Sequence, residues 1–141
     1  MLIGVDKCDW KCCKEAKQDI CQNMDIAKQL SKAIPIDNII KKYLADDITS
    51  AIIFGGLEPF LQFDELYSFI YTLRNKYKCN DDVVIYTGYY ENEIQEQVNK
   101  LKKLLNIIIK FGRFIPNNTK HFDNVLGIDL ASSNQYAVKI S

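Results

Sequence analysis

Ser50-Ala51-Ile52-Ile53-Phe54-Gly55-Gly56-Leu57-Glu58-Pro59-Phe60 is the stretch on which the fold turns. Ser50 to Phe54 is a short, almost uninterrupted apolar run, which reads as a strand covered on both faces. The glycine pair ends it, and Pro59 and Phe60 break the chain before a helix that begins near Phe63. Leu66, Phe69, Ile70, Leu73 and Tyr77 share one face of that helix, and Asp64 and Glu65 suit its positive N-terminal end. Strand, glycine turn and helix make one β/α unit.

The alternation extends both ways. Upstream, Leu2 to Lys7 reads as a strand entering a cysteine-rich loop, and Ile36 to Leu44 has helical spacing of apolar residues. Downstream, Asp82 to Thr87 is a β-rich run stopped by Gly88, and Glu91 to Leu105 carries Ile94, Val98, Leu101, Leu104 and Leu105 at helical spacing. Asn106 to Lys110 is a further strand, followed by turn residues Gly112, Pro116, Asn117 and Asn118. Val125 to Asp129 and Gln135 to Ile140 are shorter strand candidates. Short connections and right-handed crossovers favour a mainly parallel sheet covered by helices. A complete eight-fold barrel takes about 31 residues per unit, so this length holds about four or five units. The expected architecture is therefore α/β, an open partial (β/α) barrel with a mainly parallel sheet, in one domain spanning residues 1–141.

Composition narrows the partners. Eighteen basic residues balance eighteen acidic ones, so no overall field draws nucleic acid or an anionic membrane. Apolar runs such as Ile107 to Ile109 fall far short of the ~20 residues of a membrane span. Met1 to Asp6 lacks the basic start and long apolar region of an export signal. A cytoplasmic protein is expected, with neither nucleic acid nor membrane as partner.

In a reducing compartment, the crowded Cys8, Cys12, Cys13 and Cys21 read as metal ligands rather than disulfide partners. Cys12 and Cys13 are adjacent, and neighbouring side chains diverge, so one of them is spare. The three-residue gap from Cys8 favours Cys12 over Cys13, since such spacing brings both sulfurs to one side of a turn or helical start. A set using Cys13 stays open. The cysteine loop, Gly55-Gly56 and Thr87-Gly88 all follow strands, and ligands of parallel sheets bind at strand carboxyl ends. Simpler readings stand beside this one: a four-thiolate zinc or structural iron–sulfur site recruiting Cys79, a free loop thiol at Cys79, a solvent-exposed His121, and tyrosines 86, 89 and 90 as packing residues.

Four segments, taken in order, resemble the radical S-adenosylmethionine enzymes, most closely the small activating enzymes of anaerobic ribonucleoside-triphosphate reductase. They are Cys8-Asp9-Trp10-Lys11-Cys12 with Cys21-Gln22-Asn23, then Gly55-Gly56-Leu57-Glu58-Pro59, Tyr86-Thr87-Gly88-Tyr89, and Ser132-Ser133-Asn134-Gln135. The resemblance implies a [4Fe–4S] cluster held by Cys8, Cys12 and Cys21, with its fourth iron binding the amino and carboxylate groups of S-adenosylmethionine. It places Gly55, Gly56 and Glu58 by the cofactor's amino group, Thr87 and Gly88 by its sugar or adenine, and Ser132, Ser133, Asn134 and Gln135 at its adenosyl end. The implied activity is reductive cleavage of S-adenosylmethionine to methionine and a 5′-deoxyadenosyl radical. That radical would take hydrogen from a glycine in the catalytic subunit of anaerobic ribonucleotide reductase, with an external electron donor such as reduced flavodoxin.

Departures are visible. The chain reads C-x3-C-x8-C where the family usually has C-x3-C-x2-C, and Ile20 stands where the family has an aromatic residue. Leu57 lengthens the Gly-Gly-Glu-Pro motif, and Lys110-Phe111-Gly112-Arg113-Phe114 lacks the Asp that often precedes this glycine. The Cys13 to Ile20 and Leu57 insertions also admit a binding module that keeps the fold without catalysis.

Overall fold

Apolar alternation along the strands sorts side chains onto two unequal faces. The computed structural model describes residues 1–141 and contains strands β1 (Leu2–Gly4), β2 (Ala51–Gly55), β3 (Asp82–Tyr86), β4 (Ile107–Phe111), β5 (His121–Asp123), β6 (Ile128–Leu130) and β7 (Tyr136–Lys139). Helices α1 (Lys11–Ala16), α2 (Met24–Ala27), α3 (Ile36–Leu44), α4 (Phe63–Asn75) and α5 (Gln95–Leu101) connect them, with 3-10 turns at Pro59–Gln62 and Glu91–Glu93. Five strands form one sheet in the order β1-β2-β3-β4-β7. The first four are parallel, with Gly4 opposite Gly55 and Phe54 opposite Ile85.

On one face, Ile52, Phe54, Val83, Ile85, Ile107, Ile109 and Phe111 pack into a single core. Ile40 and Tyr43 of α3, Leu66, Phe69, Ile70 and Leu73 of α4, and Val98 and Leu101 of α5 belong to the same core. Residues one step out of phase meet the other face, where Val84, Ile108 and Ala137 make only a small cluster beneath Leu126. The helices thus cover one side, and the other is left for a site. No helix is long and apolar enough to cross a membrane.

Elements late in the chain depart in part from the sequence-based expectation. The helix expected over Glu91 to Leu105 is a 3-10 turn followed by α5, which stops at Leu101. Tyr90 N–H donates to Glu93 Oε2 at 2.8 Å, closing the chain into a tight turn before the helix starts. The strand expected at Val125 to Asp129 is the tip and second arm of the β5–β6 hairpin. Asp123 Oδ1 accepts from the backbone N–H groups of Val125 and Leu126, and Gly127 supplies a φ of +68° at the tip. β7 lies within the expected Gln135 to Ile140 run and pairs antiparallel to β4, so the sheet is mainly parallel, as expected.

The two ends of the strands have different chemistry. At the amino end, the buried Arg74 guanidinium donates to the carbonyls of Leu105, Cys79 and Asp81, tying the end of α4 to the approaches of β3 and β4. The carboxyl ends carry loops rich in cysteine, glycine and threonine.

Candidate metal centre

The loops leaving β1, β2, β3 and β4 open into one cavity of about 380 Å³ at the carboxyl edge of the sheet. The long Val5 to Pro35 excursion after β1 contributes Cys8, Cys12 and Cys21 to its wall. The β2 loop contributes Gly56, Leu57 and Glu58, and the β3 exit contributes Tyr86, Thr87 and Gly88. Lys110, Gly112 and Arg113 enter from β4, while the β6 arm supplies Ile128, Asp129 and Leu130.

Backbone N–H groups reach two of the three cysteines in the cavity wall. Trp10 N–H reaches Cys8 Sγ at 3.4 Å, and Asn23 N–H reaches Cys21 Sγ at the same distance. Backbone donors of this kind tune the sulfurs of an iron–sulfur centre. Cys12 sits in the first turn of α1 and faces the cavity, whereas Cys13 is buried and lies outside the lining. Burial pushes the thiols of Cys8 and Cys12 up; the Trp10 N–H opposes this at Cys8, and Cys13 reinforces it at Cys12. Loading a metal group therefore has to displace protons.

Three thiols spread around one cavity are a donor set that fits a cluster. No three His, Cys, Asp or Glu side chains converge on a point where one ion would sit. Tetrahedral zinc needs such convergence, but a cubane cluster binds each thiolate at a different iron, so its ligands stand apart around one cavity. Cys79 cannot complete a four-thiolate site. It lies before β3, whose five residues span about 16 Å, and the cavity opens beyond the far end. Its carbonyl is held instead by Arg74 at 2.7 Å.

Glu58 welds two loops together. Its Oε1 accepts from Thr87 Oγ1 at 2.8 Å and Phe60 N–H at 3.1 Å, while Oε2 accepts from Gly88 N–H at 2.9 Å. Burial pushes its carboxyl up, and those three donors pull it back. Gly56 takes a φ of +89°, with Gly4 Cα 3.7 Å from where its Cβ would stand, so the β1 and β2 exits pack closely. Gly55 ends β2 outside the cavity wall.

The Ser132-Ser133-Asn134-Gln135 segment divides its labour. Gln135 lines the cavity and donates to Gly112 O at 3.3 Å. Ser132 Oγ accepts from Ile115 N–H, Ser133 Oγ donates to Asn118 Oδ1, and Asn134 Nδ2 donates to Tyr90 Oη and Arg113 O. Those three residues join loops to one another and stand outside the lining.

The 4Fe-4S single cluster domain model matches residues 1–137, from β1 into β7. The chain belongs to this family. No curated protein and no solved structure matches it. The match therefore extends over every element that lines the cavity, and what it supports is a 4Fe–4S cluster domain.

Two cations of this 4Fe–4S domain stand in the sequence only as a departure from the family motif, with no role assigned to them. Lys110 is buried on the cavity face of β4, where its Nζ donates to Gly112 O at 2.9 Å. Desolvation brings its pKa down to about 8, against the opposing influence of Glu58 and Cys12. Arg113 has a side chain only 5% exposed and pairs with Glu93 and Glu15. The available signal was a charge placed after the apolar run Ile107-Ile108-Ile109, since lysine is seldom buried without purpose.

Proposed function

We propose that this 4Fe–4S domain reductively cleaves S-adenosylmethionine and uses the product radical to activate a glycyl-radical enzyme. The observation that carries the reading is the shared cavity: Cys8, Cys12 and Cys21 face Gly56, Thr87, Gly88 and Gln135 across the carboxyl edge of one sheet. In this proposal the sheet, whose β1 and β7 edges are unpaired with each other, is a partial (β/α) barrel.

The cluster, when bound, supplies one electron at low potential to the sulfonium of the cofactor. Cys8, Cys12 and Cys21 would hold it and leave one iron for the cofactor's amino and carboxylate groups. Gly56 lets backbone approach the amino group, while Glu58 holds the Thr87-Gly88 turn in place through its hydrogen bonds. Thr87, Gly88 and Gln135 then face the sugar and adenine end, with Ser132, Ser133 and Asn134 keeping Gln135 in position. That single electron would break one carbon–sulfur bond of the cofactor, so that methionine leaves and the adenosyl carbon is left able to take a hydrogen atom. Hydrogen transfer from a partner's glycine would give 5′-deoxyadenosine and leave the unpaired electron on that glycine. The partner is the catalytic subunit of anaerobic ribonucleotide reductase, and the electron comes from an external donor such as flavodoxin.

The test is anaerobic reconstitution with iron and sulfide, followed by electron paramagnetic resonance with and without S-adenosylmethionine. A reduced-cluster signal that changes on cofactor addition, 5′-deoxyadenosine in the product mixture and a glycyl radical in the partner are expected. Cofactor binding without 5′-deoxyadenosine, from a fully loaded and reduced protein, would leave only a binding module.

A further inference from the structure

The segment between Cys12 and Cys21 is where the chain is longer than the pattern it resembles, and the structure makes its first part a helix docked by charge. Lys11 opens α1, placing its Nζ 3.0 Å from Glu93 Oε1 and 4.4 Å from the centre of the Tyr89 ring. One turn later, Glu15 Oε1 stands 3.0 Å from Arg113 Nε, close but without good hydrogen-bond alignment. Arg113 grips Glu93 through both terminal nitrogens, at 2.8 and 2.5 Å, and lies 4.7 Å over the Tyr90 ring. Its Nη1 also reaches Gly88 O at 3.2 Å. One buried guanidinium thus joins α1 to the β3 exit and the 3-10 turn beyond it.

α1 needs such a device. It has six residues, fewer than an isolated helix requires, and its cap residue Trp10 makes no side-chain bond. Asp9, held by Tyr89 Oη at 2.7 Å, accepts from α1 only the Lys11 N–H at 3.2 Å and fixes the entry to the helix without reaching its far end. Trp10 and Lys17, at its two ends, both sit in the left-handed region, so the helical conformation stops at each of them. Adjacent residues differ by about 100° around a helix, so a turn of one position exchanges Cys12 for Cys13 at the cavity wall.

We propose that Arg113 and Glu93 are positioning residues that lock the rotation of α1, presenting Cys12 to the cavity and keeping Cys13 inside, and so offset the long C-x8-C spacing. This rests on the cluster reading of Cys8, Cys12 and Cys21. The clamp touches neither thiol; it selects between them through the helix that carries both.

The experiment has two arms. In the apoprotein, each cysteine's alkylation by iodoacetamide is followed by mass spectrometry, with Cys79 at the opposite sheet edge as internal reference. Wild type alkylates Cys12 faster than Cys13, and Arg113→Met or Glu93→Gln raises the Cys13 rate relative to Cys79 by about tenfold, as loss of a charge-assisted contact does to a local opening. Arg113→Lys recovers part of the selectivity. Glu15→Gln, at an exposed position, moves the ratio in the same direction and serves if the buried variants do not fold. An unchanged Cys12-to-Cys13 ratio in folded Arg113→Met, or in folded Glu15→Gln when Arg113→Met does not fold, overturns the clamp. In the second arm, reconstituted Cys12→Ala loses the cluster's paramagnetic signal while Cys13→Ala keeps it; adding Arg113→Met, or Glu15→Gln in its place, to Cys12→Ala restores a signal through Cys13. A wild type that takes up no cluster defeats the functional reading, and the alkylation arm still decides the clamp.

Discussion

At the scale of single residues, two glycines of similar appearance in the sequence differ sharply in space. Gly112 has a φ of +97°, and a Cβ there would stand 2.8 Å from Asn134 O and 3.1 Å from Gln135 Cα. Gly55 would place its Cβ no closer than 3.7 Å to any neighbour. Gly112→Ala is therefore expected to cost about 3 kcal/mol in urea unfolding, and Gly55→Ala less than about 1 kcal/mol. Equal midpoints for the two variants would contradict the geometry. Glu93 makes a second residue-scale prediction. Burial opposes its charge, but Arg113, Tyr90 N–H and Lys11 together outweigh it and hold its pKa at about 2. The folded value lies below the ordinary carboxylate value of about 4.3, so this stabilisation is present above that pH and is lost as pH falls toward about 2. Acid unfolding of the apoprotein should show Glu93→Gln less stable at neutral pH and flatter than wild type across that window.

At the scale of elements, β4 shows how a strand divides its duties. Ile107, Ile109 and Phe111 enter the main core, while Ile108 and Lys110 face the open side. An ammonium buried there favours its neutral form, with a pKa of about 8 in place of about 10.4 when unfolded. Between those values the unfolded chain binds more protons, so wild-type stability should rise with pH. Lys110→Met should raise the apoprotein's melting temperature at pH 7, with the gain shrinking above about pH 8. A lower melting temperature would show that the Lys110–Gly112 contact outweighs the desolvation. The strand itself was readable from its apolar run, and α3 and α4 from their spacing. α5 was overextended because Ile94, Leu104 and Leu105 keep helical spacing beyond the ends of the helix. The missing information was Glu93, whose bonds to Tyr90 N–H and Arg113 bend the chain before α5 can begin.

At the scale of the whole molecule, the sheet separates its five cysteines into two populations. Cys8, Cys12 and Cys21 line the carboxyl-edge cavity, Cys13 lies behind them, and Cys79 belongs to the amino edge with Arg74. Cys79→Ser should consequently leave iron and sulfide content after reconstitution unchanged, whereas Cys8→Ala and Cys21→Ala should reduce both. Loss of the cluster in Cys79→Ser would reverse the assignment of the two edges. The β/α alternation, the glycine stops and the order of cysteines ahead of the Gly-Gly and Thr-Gly turns are written in the linear chain, because periodicity and turn chemistry are local properties. The antiparallel run of β7 and the placing of Gln135 alone of its segment in the cavity wall come from the folded arrangement, which also turns toward that wall Cys12, the cysteine its spacing from Cys8 already favoured. Each depends on contacts between residues far apart in sequence: β4 with β7, Gly112 with Gln135, and Arg113 with the helix carrying both cysteines.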